Sequence, residues 1–383
     1  MNEPLRIALV GQRSIPATYG GVEVYAEELA ARLAERGHSV TAFCAEEGRT
    51  GTAEHRGVTI RYVPVSNGKH SRALSQTFSS SIRCLGDTFD VVHYMAMGPT
   101  IASPLVRFGS KAAVVATVQG RDDQRAKWSR PAQLLMRASL ETLRRVPQRI
   151  MTVSGELYDD FAPYAEGRLR RVPNGIHVPP AAPDTEDLVR ALGVEPGNYV
   201  LYAGRLVPEK RILDLIEGFR RTSVCHQLVI AGGSSGTDDY AAELEAAAAG
   251  DARIRFIGHR SADEVDALNR HAALFALTSE LEGLPFALLE AAGRGVPLLV
   301  SDLPCNLEVI GTPDEGAVVI EVGAVDQITD GIEQILGAAG ASAAARCRAE
   351  AVLETFGWET VVDQIEVVYR EAVSARRGVT HLR

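Results

Sequence analysis

Glu282 and Glu290 stand at the two ends of the stretch E-G-L-P-F-A-L-L-E, with seven residues between the carboxylates. The apolar run at 274–277 ahead of Glu282 reads as a buried strand, and residues 286–294, which carry Glu290, read as a helix. A helix N-terminus leaves its first amides without intrahelical partners, so a strand, a tight turn and a helix make an anion site. Carboxylates sit badly beside a bound phosphate. They sit well beside hydroxyls, where a charged acceptor bonds about twice as strongly as a neutral one. The stretch therefore suits a ligand with both phosphate and hydroxyls, such as a nucleotide sugar. The plain alternative is a solvated turn glutamate followed by an ordinary helix glutamate.

Cations lie at a matching position. The strand expected at 199–203 ends in Gly204-Arg205-Leu206-Val207-Pro208-Glu209-Lys210-Arg211. An arginine holds a diphosphate through a bidentate fork and a lysine adds a point charge, although a solvated basic turn would look the same. Near the start of the chain, a strand leads through Gly11 to Gly20-Gly21 and then a helix. Two glycines there allow a backbone to approach a ligand closely, or simply make a turn. The loop is too long for a dinucleotide-binding turn.

Other motifs are missing or out of context. There is no G-x-x-x-x-G-K-[ST] loop, no H-E-x-x-H and no D-x-D pair that would suggest a metal-chelated diphosphate. Residues 232–236 match G-x-S-x-G around Ser234, with His259, His271 and Asp302 downstream. A nucleophile elbow passes directly from serine into helix, whereas Gly236-Thr237-Asp238 prolong this loop to a natural N-cap at Asp238. A flexible loop fits better than a hydrolase. His93 ends a strand, at a cleft rim or in the core. Residues 125–149 hold seven basic residues against Glu141, with Met136, Leu140 and Leu143 on one helical face. Such a segment either lies on anionic membrane or presents a solvated face over a core.

The elements that must position these residues alternate between strand and helix. Strands are expected at 6–10, 39–43, 58–62, 90–94, 113–118 and 149–153, then at 199–203, 227–231, 254–257, 274–277, 297–300 and 317–322. Alternation implies parallel sheets covered on both faces, and six strands in each half imply two similar α/β domains. The proline-rich stretch Val178-Pro179-Pro180-Ala181-Ala182-Pro183-Asp184 reads as the hinge, which gives domains of 1–178 and 179–358. Two doubly wound domains facing across a cleft would bind ligand at the C-terminal ends of their strands.

Composition narrows the classes. The chain has 383 residues, 46% hydrophobic and 23% charged, as in an ordinary globular protein. A net charge of -9 argues against nucleic acid as the main partner. Five scattered cysteines with no C-x-x-C spacing suggest reduced thiols in a cytosolic setting. The N-terminus lacks a signal-peptide shape, and no apolar run approaches the ~18 residues that span a bilayer.

Taken together, Gly20-Gly21, Gly204-Arg205 with Glu209-Lys210, and Glu282-x7-Glu290 resemble the retaining glycosyltransferases of family four, which have the GT-B fold. The resemblance extends over nearly the whole chain. It takes in Ser154-Gly155-Glu156 and Pro173-Asn174-Gly175-Ile176 as inter-domain segments and Phe256-Ile257-Gly258-His259 as a base-pocket loop. Phe356-Gly357-Trp358-Glu359 is similar to the start of a last helix, about 359–383, that returns to the N-terminal domain. The resemblance implies that Arg205 and Lys210 bind the donor diphosphate, Glu282 the sugar hydroxyls and Glu290 the ribose. Backbone amides of Leu284, Phe286 and Ala287 would hold sugar or phosphate, and Gly20 and Gly21 would face the diphosphate. Enzymes of this kind need no metal and no cofactor beyond the donor.

Where many members carry a histidine after the fifth N-terminal strand, this chain reads Thr117-Val118-Gln119-Gly120. Gln119 can bond a sugar hydroxyl but cannot act as a base near pH 7. The following stretch, Gly120 to Trp128, is similar to a bacterial subgroup that builds surface polysaccharides, rhamnosyltransferases included. In it Asp122 or Asp123 would touch an acceptor or cap a helix. The expectation is a cytoplasmic glycosyltransferase, with a peripheral contact at the inner membrane face through residues 125–149. It would move a hexose or deoxyhexose to a glycan, lipid-linked or small-molecule acceptor. An epimerase or phosphorylase of the same fold, and a non-catalytic sugar-nucleotide sensor, are the alternatives.

Overall fold

A computed structural model describes the chain apart from residues 1–2, 18–19, 47, 69–70, 122–129, 166, 181–183, 234–237 and 381–383. It divides into two α/β units, Met1–Gly175 with Trp358–Arg383, and Ile176–Gly357.

In the first unit the strands are β1 Arg6–Val10, β2 Ser39–Ala45, β3 Thr52–His55, β4 Val58–Val63, β5 Val91–Tyr94, β6 Ala113–Val118, β7 Arg149–Thr152 and β8 Leu169–Arg171. They form one sheet in the order β3-β4-β2-β1-β5-β6-β7-β8. All pairs are parallel except β3 with β4. The sequence expectation lacks β3 and β8. β3 is the polar stretch T-A-E-H, exposed or half-buried along its length. It is a strand because the turn at Arg56 and Gly57, both with positive φ, folds it back onto β4. β8 has three residues, too few to show periodicity.

The second unit contains β9 Tyr199–Ala203, β10 Gln227–Ala231, β11 Ile254–Gly258, β12 Leu274–Leu277, β13 Leu298–Ser301 and β14 Ala317–Ile320. Its sheet runs β11-β10-β9-β12-β13-β14, all parallel. In chain order that is 3-2-1-4-5-6, the doubly wound arrangement whose ligand crevice opens where the order reverses, between β9 and β12. The apolar runs are continuous because both faces of each strand are covered. Val200 and Tyr202 pack with Ile212, Leu215 and Phe219 of helix Ile212–Arg221 and with Ile328 and Ile332 of helix Val325–Gly337. Leu201, between them on the opposite face, is equally buried.

The last helix, Trp358–Thr380, belongs to the first unit. Arg36 bonds Glu359 at 2.7 Å and Asp363 at 2.5 Å, His38 meets Glu366 at 2.9 Å, and Arg149 reaches Glu371 at 2.8 Å. All five cysteines are free thiols. Among the described residues no helix is long and apolar enough to cross a membrane.

Candidate active site

The loops after β9 and β12 leave adjacent strands at the switch point of the second sheet and are clasped together. Tyr202, buried at the end of β9, donates from its hydroxyl to the carbonyl of Arg205 at 2.9 Å and so fixes the turn that carries this cation. A short 3-10 turn, Pro208–Lys210, follows. Arg211 then takes a left-handed conformation, φ 49°, before helix Ile212–Arg221. Its guanidinium holds Asp214 at 2.5 Å and Glu280 at 3.1 Å, which offsets a backbone geometry unfavourable to most residues.

From the β12 side, Thr278 donates to the carbonyls of Lys210 and Arg211, each at 3.2 Å. The Glu280 amide donates to the Glu209 carbonyl at 3.0 Å. Ser301, at the end of β13, donates to the Ser279 carbonyl at 2.6 Å. The result of these bonds is a direct ion pair between Lys210 and Glu282, with the Ser279 hydroxyl donating to the same carboxylate oxygen at 2.7 Å. Lys210 and Glu282 are both largely enclosed.

Arg205 differs from its neighbours. Lys210 and Arg211 each have a carboxylate partner, whereas Arg205 enters no ion pair among the described residues. The residue is half-buried. Its charge is felt by Tyr202, whose hydroxyl is pushed well above its ordinary range by burial and by Glu282, with Arg205 pulling the other way. A half-buried cation without a carboxylate is a natural receptor for an anionic ligand.

Backbone bonds lace the neighbouring loops into the same edge. The Gly204 amide donates to Ala231 at 2.9 Å, Gly232 to Gly258 at 2.9 Å and Leu206 to Gly233 at 3.2 Å. A Cβ on Gly232 would lie 1.9 Å from the Gly204 carbonyl oxygen, so only glycine fits. Ser234 lies outside the described residues. The reading from sequence missed Tyr202, Thr278, Ser279 and Ser301. Hydroxyls at strand ends carry no spacing signal, and only the packed sheet shows what they bond.

Glu290 lies in helix Phe286–Gly293, whose N-terminus has no side-chain cap. Phe286 and Ala287 form its first turn, half-buried, after the buried Leu284. Arg294 donates to Asp266 at 2.7 Å and to the Glu290 carbonyl at 2.8 Å, and Arg270 bonds Asp266 at 2.5 Å, so this helix is tied to helix Ala262–Arg270. Burial raises the Glu290 carboxyl above its ordinary range, Arg294 opposes the shift and Asp266 adds to it.

The remaining candidates belong to the first unit. Gly20 has φ 104° and caps helix Gly21–Glu35; a Cβ there would lie 2.7 Å from Glu23 Oε2. Gln119 follows β6, and its enclosed Nε2 has no hydrogen-bond partner among the described residues. Asn174 is buried, 1% exposed. His93 requires a correction. It is a core histidine, fully buried, with Nδ1 at 2.8 Å from the Tyr369 hydroxyl and Nε2 at 2.6 Å from Thr117. Both nitrogens are occupied, so it has no atom for a substrate. A strand-end histidine looks the same in sequence whichever way it faces.

Asp122 and Asp123 lie outside the described residues, as do residues 125–129 of the basic segment. Most of the described part of that segment forms helix Arg130–Arg145, and its last residue, Arg149, begins β7. Several of its cations are engaged within the protein. Arg144 stacks on Tyr164 at 3.7 Å and bonds Glu141 at 3.0 Å, and Arg145 bonds Glu141 at 2.7 Å. Arg149 is held by Glu371.

Two doubly wound units, one bearing a cation loop and a carboxylate loop at its switch point, define the GT-B class of glycosyltransferases. Comparison with known proteins agrees along most of the chain. Residues 19–178 match the model of "Glycosyltransferase Family 4" and residues 184–351 that of "Glycosyl transferases group 1". The chain belongs to the family-four-like GT-B glycosyltransferases. It is similar to the O-antigen chain mannosyltransferase B of Escherichia coli, 27% identical over 45% of this chain and 46% of that protein, so that match spans less than half of either. It is also similar to the MMP alpha-(1->4)-mannosyltransferase of Mycolicibacterium hassiacum, 26% identical over 97% of this chain and 99% of that protein. Among solved structures, the Anabaena protein Alr3699/HepE in complex with UDP and glucose superposes with a TM-score of 0.77 at 17% identity, covering 94% of this chain and 98% of that one.

Proposed function

We propose that this glycosyltransferase moves a hexose or deoxyhexose from a nucleoside-diphosphate sugar to a hydroxyl of a glycan, lipid-linked or small-molecule acceptor, with retention of anomeric configuration. The observation that carries this reading is the junction at β9 and β12. There a cation without an ion pair among the described residues, Arg205, accompanies a cation–carboxylate pair, Lys210 with Glu282. Arg205 and Lys210 suit a diphosphate, and Glu282 suits sugar hydroxyls. Glu290, one helical turn further from the junction, suits the ribose. The solved neighbour named above contains UDP and glucose, which supports a donor of this chemistry.

In the transfer, the bond from the anomeric carbon to the diphosphate breaks and its electron pair leaves with the phosphate. The acceptor oxygen bonds the same face of that carbon, and its proton passes to the departing phosphate oxygen. Arg205 and Lys210 stabilise the charge that develops there, a task for fixed cations that this reading assigns without a metal. In the first unit, Gln119 has an enclosed Nε2 donor without a partner among the described residues, which suits a sugar hydroxyl. The similarity to an O-antigen mannosyltransferase supports a surface-glycan acceptor.

The test is a thermal-shift panel of UDP, dTDP, GDP and ADP, since a ligand at about 100 times its Kd stabilises by about 2.7 kcal/mol. Transfer from the matching donor, with the anomeric configuration of the product read by NMR, follows. Inversion would overturn the retaining mechanism. Turnover without an acceptor to an epimerised sugar would favour the epimerase, and binding without turnover the sensor.

A further inference from the structure

Helix Arg72–Gly86 of the first unit is amphipathic in the inverted sense. The face it buries consists of Gln76, Thr77, Ser80, Ser81 and Cys84. The face it exposes carries Phe78, Ile82 and Leu85, at the four- and three-residue spacing that aligns side chains on one stripe. Ile82 is 58% exposed. The helix is not simply rotated out of place, because its polar face is fully engaged. Thr77, Ser80 and Ser81 donate to carbonyls four residues back at 2.7–2.8 Å, Ser81 also meets the Tyr94 hydroxyl at 2.9 Å, and Gln76 donates to the Gln12 carbonyl at 2.7 Å. Turning the stripe inward would take these partners from the buried Tyr94 hydroxyl and the buried Gln12 carbonyl.

The stripe continues onto the next helix. Leu105 and Phe108 of helix Ser103–Gly109 are exposed, Phe108 at 76%, and Leu85 packs against Gly109. Contiguous apolar surface of this kind marks an interaction site. Charge says with what. The whole chain has 49 acidic against 40 basic residues. Yet residues 71–86 hold Arg72 and Arg83 and no carboxylate, and residues 91–121 hold Arg107, Lys111 and Arg121 and no carboxylate. Asp87 and Asp90, between these stretches, are paired with Arg61 and Arg6. Arg83 and Lys111 are exposed, and the Arg107 guanidinium sits 5.9 Å over the Phe108 ring. A two-fold pairing of this face with a second copy would set like charges against each other. An anionic bilayer takes both components, apolar side chains between the acyl chains and cations at the headgroups.

We propose that Phe78, Ile82, Leu85, Leu105 and Phe108, bordered by Arg83, Arg107 and Lys111, form the surface by which this protein docks on anionic membrane. The inference rests on the membrane-contact part of the lipid-linked reading, not on the donor assignment. It moves the contact from residues 125–149 to this inverted helix.

The test is co-sedimentation of the full chain with phosphatidylglycerol-containing vesicles and with pure phosphatidylcholine vesicles. Ile82→Ser with Phe108→Ser, and separately Arg83→Glu with Lys111→Glu, are compared with the wild type. Thermal shift by nucleotide and an unchanged melting temperature serve as controls for folding. Wild-type binding to the anionic vesicles alone, weakened tenfold or more by either pair of substitutions, is the expected result. Equal binding by both variants would overturn this surface and leave a membrane contact elsewhere. No binding by the wild type would overturn the membrane contact itself, while nucleotide binding still tests the donor site. A wild-type dimer that Ile82→Ser with Phe108→Ser converts to monomer would assign the face to a second copy and overturn the proposal.

Discussion

Lys210 donates directly to Glu282, and the Ser279 hydroxyl donates to the same carboxylate oxygen. One side chain comes from the loop after β9 and the other from the loop after β12. A cation–carboxylate contact thus joins the two loops of the site. On the proposed donor assignment, a diphosphate bound by Lys210 would compete with Glu282 for it and free the carboxylate oxygen for a sugar hydroxyl.

Glu282→Gln should therefore lower transfer by about 10–100-fold, the effect of losing a charged hydrogen bond worth about 1.5–3 kcal/mol. Nucleoside diphosphate affinity should change far less. Transfer rates and calorimetric affinities measured side by side check this, and an equal loss in both would move Glu282 away from the sugar.

Arg205→Ala should weaken nucleoside diphosphate binding by about 1.5–3 kcal/mol, again the scale of a charged hydrogen bond. The protein itself should be little destabilised, since Arg205 makes no ion pair among the described residues that the change would break. Unchanged affinity would remove Arg205 from the phosphate site.

Tyr202→Phe removes the 2.9 Å bond to the Arg205 carbonyl and nothing else the hydroxyl donates to. We expect a loss of nucleotide affinity of about 1 kcal/mol through misplacement of Arg205. In a double-mutant cycle the effect should vanish in the Arg205→Ala background, because Tyr202 acts through that residue. Full additivity would show an independent role.

Gly232→Ala should disturb the site without touching any charged residue. The added methyl meets the Gly204 carbonyl oxygen at 1.9 Å, and neither the Cβ, fixed on its Cα, nor this backbone oxygen can rotate away. A cost of about 1–3 kcal/mol in stability is expected from overpacking. Loss of nucleotide affinity should accompany it, as the turn before Arg205 shifts. A variant with wild-type melting temperature and affinity would contradict the geometry.

His93 gives the pH dependence a sign. Burial pushes its pKa from the ordinary 6.5 down to about 3. Above pH 6.5 the ring is neutral in both folded and unfolded chains and contributes no slope. As pH falls below 6.5, the unfolded chain takes up a proton that the folded one refuses, so stability drops by up to about 1.4 kcal/mol per pH unit. Urea midpoints between pH 4 and pH 8 should show this fall, and His93→Phe should flatten it. That variant should also lose about 1–3 kcal/mol at pH 8, where the buried Tyr369 and Thr117 hydroxyls each lose the bond to this ring. An unchanged slope would show that another group titrates.

Much of the architecture is legible in the sequence because it rests on repetition. Twelve strands and their alternation with helices follow from apolar runs such as Y-V-L-Y-A at β9, which a two-sided parallel sheet requires. Strands whose stability comes from a partner are not legible, and β3 is one: it pairs with β4 through a turn and buries almost nothing. The inverted helix is illegible for a related reason. Period alone places Phe78, Ile82 and Leu85 on one face and predicts that this face is buried, the opposite of what the packing of Gln76, Ser80 and Ser81 enforces.

For the site, the sequence by itself determined which chemistry is present: two cations after one strand, two carboxylates after another, and glycines where backbones meet. Residue type and spacing fix that much because charge and hydrogen-bonding capacity belong to the side chain. Only the tertiary structure decided who meets whom. It placed β9 beside β12, so that Lys210 is paired with Glu282 while Arg205 forms no ion pair among the described residues, and it turned His93 inward to Tyr369. Sheet order and facing are set by packing between segments far apart in the chain, and no local pattern encodes them.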